Sequence, residues 1–252
     1  MTAAGAWCLA GIVLGLVIGS FLGALVMRWP RGERLRSGRS RCDSCGRTLA
    51  VRDLIPILSA LASGLRCRTC RARIDPAHWV MEAGAAIIGG AAFALADGPL
   101  AALGWSLLGW LLLALALLDA RHFWLPDALT LPLAFLGLTI GPFSTGAGLL
   151  DRWIGAAAGY GALVLVAIGY RALRRREGLG LGDAKLLGAI GTWTGWAALP
   201  FVLLIASTGA LAWTALMALR GDPVHGGSRL PLGTFLCAAA GPAMLVETLL
   251  LR

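Results

Sequence analysis

Charge is scarce in this chain. Asp, Glu, Lys and Arg make up 14% of its 252 residues, and only 13 of them are acidic, where an ordinary soluble domain carries about 25%. So little charge excludes a single water-soluble core. A basic segment is also missing ahead of the first apolar stretch, Ala3 to Met27. That stretch therefore reads as a retained span rather than a cleaved signal, since it exceeds the ~20 residues that cross a bilayer as a helix. The glycine-rich segment Gly178-Leu179-Gly180-Leu181-Gly182-Asp183 lacks Walker spacing and follows no strand pattern, which argues against a phosphate cradle. His122 and His225 stand in no metal-ligand spacing and are expected in loops.

What the chain has instead is apolar length. Hydrophobic residues make up 58% of it, and the mean hydropathy is +0.78. After the first stretch, apolar runs follow at Trp79 to Ala96, Leu100 to Leu118, Ala128 to Pro142, Trp153 to Tyr170, Leu186 to Trp196, Leu199 to Leu219 and Pro231 to Leu251. The expected fold is an all-α polytopic membrane protein of about eight transmembrane helices. Gly11, Gly15, Gly19 and Gly23 share one face of the first helix, a spacing that lets a neighbouring helix come close. The ten Trp fall largely near span ends, as interfacial anchors do.

The loops orient these spans. Residues 28–78 hold 12 of the 22 Lys and Arg against Glu33, Asp43, Asp53 and Asp75, and Arg171, Arg174, Arg175 and Arg176 form a second basic cluster. Both clusters belong on the cytoplasmic side by the positive-inside rule. With eight spans, the connections near Asp97 to Pro99 and Phe143 to Asp151 then face outward, and Asp119 and Asp183 fall at the cytoplasmic face. The net charge of +9 thus reports topology and attraction to anionic membrane lipid, not nucleic acid.

The basic loop carries Cys42-x2-Cys45 and Cys67-x2-Cys70, two knuckles 21 residues apart. Each can present two thiolates to one tetrahedral ion, so the four cysteines are candidate ligands of a structural zinc. A loop with few large apolar groups has little core of its own, and a metal would supply folding energy. Disulfides are disfavoured on the reducing side of the membrane. Cys8 and Cys237, alone in apolar runs, read as small buried hydrophobes.

Two carboxylates stand at the ends of separate apolar runs, Asp119 and Asp183. Ionisable groups at membrane depth are functional candidates by default, and the two together suggest an aspartyl dyad in which one ionised and one protonated carboxyl share a proton. Gly180 and Gly182, without Cβ atoms, would let an extended substrate backbone approach. Lys185 reads as a partner for Asp183 or a snorkelling anchor, and Asp127 as the charge at the start of the fourth helix. Glu82 either complements a helix dipole or holds an arginine or a substrate amine.

In order and spacing these pieces resemble the type IV prepilin peptidases. Gly19-Ser20-Phe21-Leu22 with Arg28-Trp29-Pro30 is similar to that family's opening segment. The two knuckles and Asp53-Leu54-Ile55-Pro56-Ile57-Leu58-Ser59 match its cytoplasmic loop. Leu118-Asp119 with Leu125-Pro126-Asp127, and Gly180-Leu181-Gly182-Asp183-Ala184-Lys185, resemble its two aspartate motifs. Leu230-Pro231-Leu232-Gly233 and Gly241-Pro242 resemble its last-helix signature. His78-Trp79-Val80 and Leu232 depart from the usual residues at the start of the second helix and in the last.

The resemblance implies an intramembrane aspartyl endopeptidase of the bacterial inner membrane, with Asp119 and Asp183 catalytic, cutting prepilin or pseudopilin precursors at the cytoplasmic face. It also implies N-methylation of the new N-terminus from S-adenosylmethionine, for which the chain shows no independent motif. The expected organisation is a first helix over 1–27, a zinc loop over 28–78 and a seven-helix core over 79–252. A proton-coupled transporter is the alternative use of membrane carboxylates, although no inverted repeat is visible.

Overall fold

The computed structural model describes residues 3–33, 40–175, 178–221 and 230–251; His225 and Arg176 fall outside them. Every one of the eight apolar stretches is helical. In chain order they are α1 (Ala3–Arg28), α3 (Pro76–Leu95), α4 (Pro99–His122), α5 (Asp127–Thr139), α7 (Leu149–Arg174), α8 (Leu181–Thr194), α9 (Leu199–Leu219) and α10 (Leu232–Leu251), with the short α2 (Leu58–Ala62) and α6 (Gly141–Ser144) between them. Among the described residues no strand forms, and two isolated antiparallel bridges, Arg41–Thr48 and Arg66–Arg73, lie in the cysteine loop.

By length and composition, α1, α3, α4, α7 and α9 are suited to cross a bilayer, five helices against the eight expected spans. Of the remaining three, α5 and α8 are clearly shorter, and their ends show why. α5 ends at Thr139, just ahead of the Gly141-Pro142 pair that opens α6, and α8 lies between Gly180 and Gly195, the latter at φ +76. A glycine in that left-handed region is a usual helix stop.

Two compact units divide the chain, residues 1–114 and 115–252. In the first, α1 packs on α3. A methyl group added at Gly11, Gly15 or Gly19 would overlap the carbonyl oxygens of Gly89, Ala85 and Met81 respectively. The glycine face foreseen on the first helix is thus a backbone contact surface. Asp75 caps α3 by accepting from Ala77 N at 2.8 Å, with Pro76 at the first helical position.

In the second unit, α8 contacts α5, α7, α9 and α10 and is buried continuously from Leu186 to Thr194, as a helix apolar on all sides should be. Its crossing with α7 is again backbone on backbone, since a Cβ at Gly155 or Gly191 would run into the other glycine's carbonyl. At the C-terminal ends of α5 and α8 lies Arg152, fully buried. Its guanidinium donates to the carbonyls of Gly137, Thr145, Ala147, Thr192 and Trp193 at 2.9–3.2 Å and to Thr145 Oγ1 at 2.6 Å. A cation suits helix C-termini, whose last carbonyls have no partner within the helix.

Candidate active site and metal centre

Asp119 lies in the last turn of α4 and is 5% exposed. Asp183 lies in the first turn of α8, with its own N–H bonded to Gly180 O at 3.2 Å. A carboxylate there complements the positive end of the helix. The fold brings these two sequence-distant residues together at the start of α10. Asp183 feels the charge of Asp119, and the Gly233 amide interacts with both carboxyl groups. Thr234 N donates to Asp119 Oδ2 at 2.7 Å, and Thr234 Oγ1 lies 3.1 Å from the same oxygen. One turn further, the buried Cys237 thiol is within electrostatic reach of both aspartates. Two carboxyl groups from separate helices thus face the same backbone at the start of α10, Asp119 buried and Asp183 half-buried.

In the first unit the four cysteines of the loop cluster. Their sulfurs all lie within 4.8 Å of one another, Cys42 and Cys70 at 3.9 Å, and sulfurs around a tetrahedral zinc with 2.3 Å bonds stand about 3.8 Å apart. The donor set fits that ion. Both knuckles fold alike: Cys42 N and Cys67 N bond to Arg47 O and Ala72 O, and the residue after each second cysteine, Gly46 at φ 68 and Arg71 at φ 60, turns left-handed. The Cys70 and Thr69 amides hold the Cys67 thiol below its ordinary range, at about 6, which favours the thiolate that binds metal.

Asp53 ties the knuckles together. Its carboxyl, 8% exposed, accepts from Arg47 of the first knuckle at 2.9 Å, from Ala50 N at 3.2 Å and from Arg68 of the second at 3.3 Å. Burial alone would push this carboxyl up, but the Ala50 amide and the two guanidiniums outweigh it and hold it below the usual range. Arg47 also faces the Cys67 sulfur.

Residues 105–215 match the family model described as the type IV leader peptidase family, and residues 13–96 the bacterial peptidase A24 N-terminal domain. A Burkholderia pseudomallei protein named prepilin leader peptidase/N-methyltransferase is 38% identical, over 93% of this chain and 83% of its own length. The chain belongs to the type IV leader peptidase family. Proteins of the same name from Pseudomonas aeruginosa (34% identical; 95% of this chain, 90% of that protein) and Klebsiella pneumoniae (42%; 78% and 89%) are also similar. No solved structure matches.

Several residues of this leader peptidase family member sit differently from their sequence reading. Lys185 Nζ reaches Asp127, 2.8 Å from both carboxylate oxygens, rather than Asp183. Glu82 Oε2 accepts from Ile57 N at 2.7 Å, so it anchors the loop segment that starts at Asp53. A Cβ at Gly182 would come within 3.1 Å of Leu125 Cβ, whereas Gly180 has no neighbour that near. Sequence reasoning assigned no role to Arg152 or Thr234. Arg152 carried one visible signal, a cation at the very edge of an apolar run. Thr234 carried only its place directly after Gly233 in the last-helix signature.

Proposed function

We propose that this chain is a prepilin peptidase of the bacterial inner membrane, an aspartyl endopeptidase that removes leaders from prepilins or pseudopilins with Asp119 and Asp183 as its catalytic pair. The observation that carries this reading is the meeting of the two carboxyls at the start of α10. The ionised carboxyl takes a proton from water as the water oxygen attacks the scissile carbonyl carbon. The protonated carboxyl gives its proton to the carbonyl oxygen, and the tetrahedral adduct then collapses as the C–N bond breaks and the amine nitrogen takes up a proton. The positive-inside argument supports a cytoplasmic site, since α7 ends on Arg171, Arg174 and Arg175, one connection before Asp183 at the start of α8.

Zinc in the loop has a structural part in this reading: Cys42, Cys45, Cys67 and Cys70 would hold it, and it would fix a loop with little apolar core. Methyl transfer to the new N-terminus, carried in the relatives' name, belongs to the same reading. S-adenosylmethionine would supply a methyl group activated on a sulfonium. A cavity of about 170 Å³ between the cysteine loop and the ends of α1 and α3 supports a site for it in the first unit. Arg28, Arg47 and Glu82 line it, so both a carboxylate and a cationic centre find opposite charge there. Equilibrium binding of S-adenosylhomocysteine to the purified protein, weakened in Glu82→Gln, checks that placement.

The peptidase is tested with Asp119→Asn and Asp183→Asn against a model prepilin, followed by mass spectrometry of the product N-terminus. Both variants should fold and insert yet lose cleavage by at least about 1,000-fold. Cleavage within tenfold of wild type in either one overturns the pair.

A further inference from the structure

Of the two carboxyls, Asp119 has a protein-built partner that can serve it in more than one protonation state. Thr234 Oγ1 lies 3.1 Å from Asp119 Oδ2 and 3.0 Å from the Ala116 carbonyl oxygen, while Thr234 N donates to the same Oδ2 at 2.7 Å. A hydroxyl has one proton to give and lone pairs to accept with, so this triangle has two satisfied arrangements. With Asp119 ionised, the hydroxyl turns its proton to Oδ2. With Asp119 protonated on Oδ2, the carboxyl donates to the hydroxyl oxygen, which passes its own proton to Ala116 O. Neither arrangement leaves a buried polar group of the triangle unpaired, and neither requires the carboxyl to rotate.

That adaptability is what an acid–base aspartate needs, because it changes protonation state in each turnover. A partner able only to donate, such as a guanidinium, would favour the ionised state throughout. The contact depends on a close approach of α10: a Cβ at Gly233 would sit 3.0 Å from the Asp119 carboxyl and 2.8 Å from Leu125 Cδ1. We propose that Thr234 is the positioning residue of the catalytic pair, holding Asp119 in one orientation through both protonation states of the cleavage cycle. This rests on the reading of Asp119 as half of that pair.

The test uses the full-length protein in lipid vesicles with a model prepilin, comparing Thr234→Val, Thr234→Ala and Thr234→Ser with Asp119→Asn. Valine keeps the branched shape and the amide but removes the hydroxyl; serine restores it. Thr234→Val and Thr234→Ala should lower kcat by about 10- to 100-fold, the scale of a slightly misplaced catalytic group, with KM and thermal midpoint close to wild type, and Thr234→Ser should recover most of the rate. Wild-type kcat in the valine and alanine variants, alongside an inactive Asp119→Asn, overturns the role of Thr234 and leaves the pair standing. A serine variant as slow as valine, or a loss confined to KM, overturns it equally. An active Asp119→Asn instead removes the pair, and this proposal with it.

Discussion

The cysteine loop of the first unit and the helical core of the second reach order by opposite means. Between Ser40 and Asp75 the structure rests on polar contacts: knuckle amides on sulfur, the Asp53 ion pairs, Ser59 Oγ on Asp53 O and Glu82 on Ile57 N. Leu54, Ile55, Leu58, Leu61 and Leu65 of that loop are exposed and contribute no core of their own. In the second unit, α7 and α8 touch through glycine backbone, and α8 is buried along most of its length. The loop therefore depends on its knuckle amides and ion pairs, whereas the core depends on shape and has no room for a methyl where α7 crosses α8. A molecule arranged this way separates a region held by polar contacts from one held by close-packed backbone.

The hardest break is Gly191→Leu. Its side chain has no space against the Gly155 carbonyl, and overpacking of backbone by a whole side chain exceeds the 1–3 kcal/mol typical of one extra methylene. Loss of monodisperse protein in detergent, with cleavage lost alongside, is expected; a folded and active variant would show that the core is less shape-dependent than this. Next comes Cys67→Ser, which should take zinc from about one per chain to near zero and leave the loop open to limited proteolysis while the helices keep their far-UV signal. Methylation should fall further than peptide cleavage, and equal losses in both would show that the loop also shapes the peptidase site. The mildest is Asp53→Asn, which removes the charge bridging the knuckles while keeping the shape. Outer-shell partners are worth about 10- to 100-fold in metal affinity, so chelator competition should show a fall of that size without loss of stoichiometry.

Much of this was legible in the amino-acid sequence, for physical reasons. Apolar runs bounded by charge or by glycine must become helices in lipid, because backbone groups there have no water to pair with. All eight stretches accordingly fold as helices. The Gly11-Gly15-Gly19 spacing revealed a contact face because helical periodicity is local, and the knuckles revealed one cluster because two turns with adjacent thiols have little other use. Contacts set by tertiary geometry left no such trace. Thr234 meets Asp119 across 115 residues, Lys185 meets Asp127 across 58 and Arg152 meets Thr192 across 40. None of these pairings has a periodicity or a motif to announce it. Span number was the least legible quantity, since a helix wrapped by protein need not be as long as one facing lipid.

That last point bears on where water goes. With fourteen residues, α8 is about 21 Å long, while the hydrocarbon slab is about 30 Å thick. Both of its ends cannot sit at the headgroups, so at least one lies at a depth where hydration has to be supplied or replaced. At the C-terminal end the replacement is built in, for Arg152 and Thr145 cover the carbonyls of Thr192 and Trp193. The other end holds Asp183 and opens toward Gly180. A short helix plugged by protein at one terminus and open at the other is a one-ended well, with Asp183 at the terminus that solvent can reach.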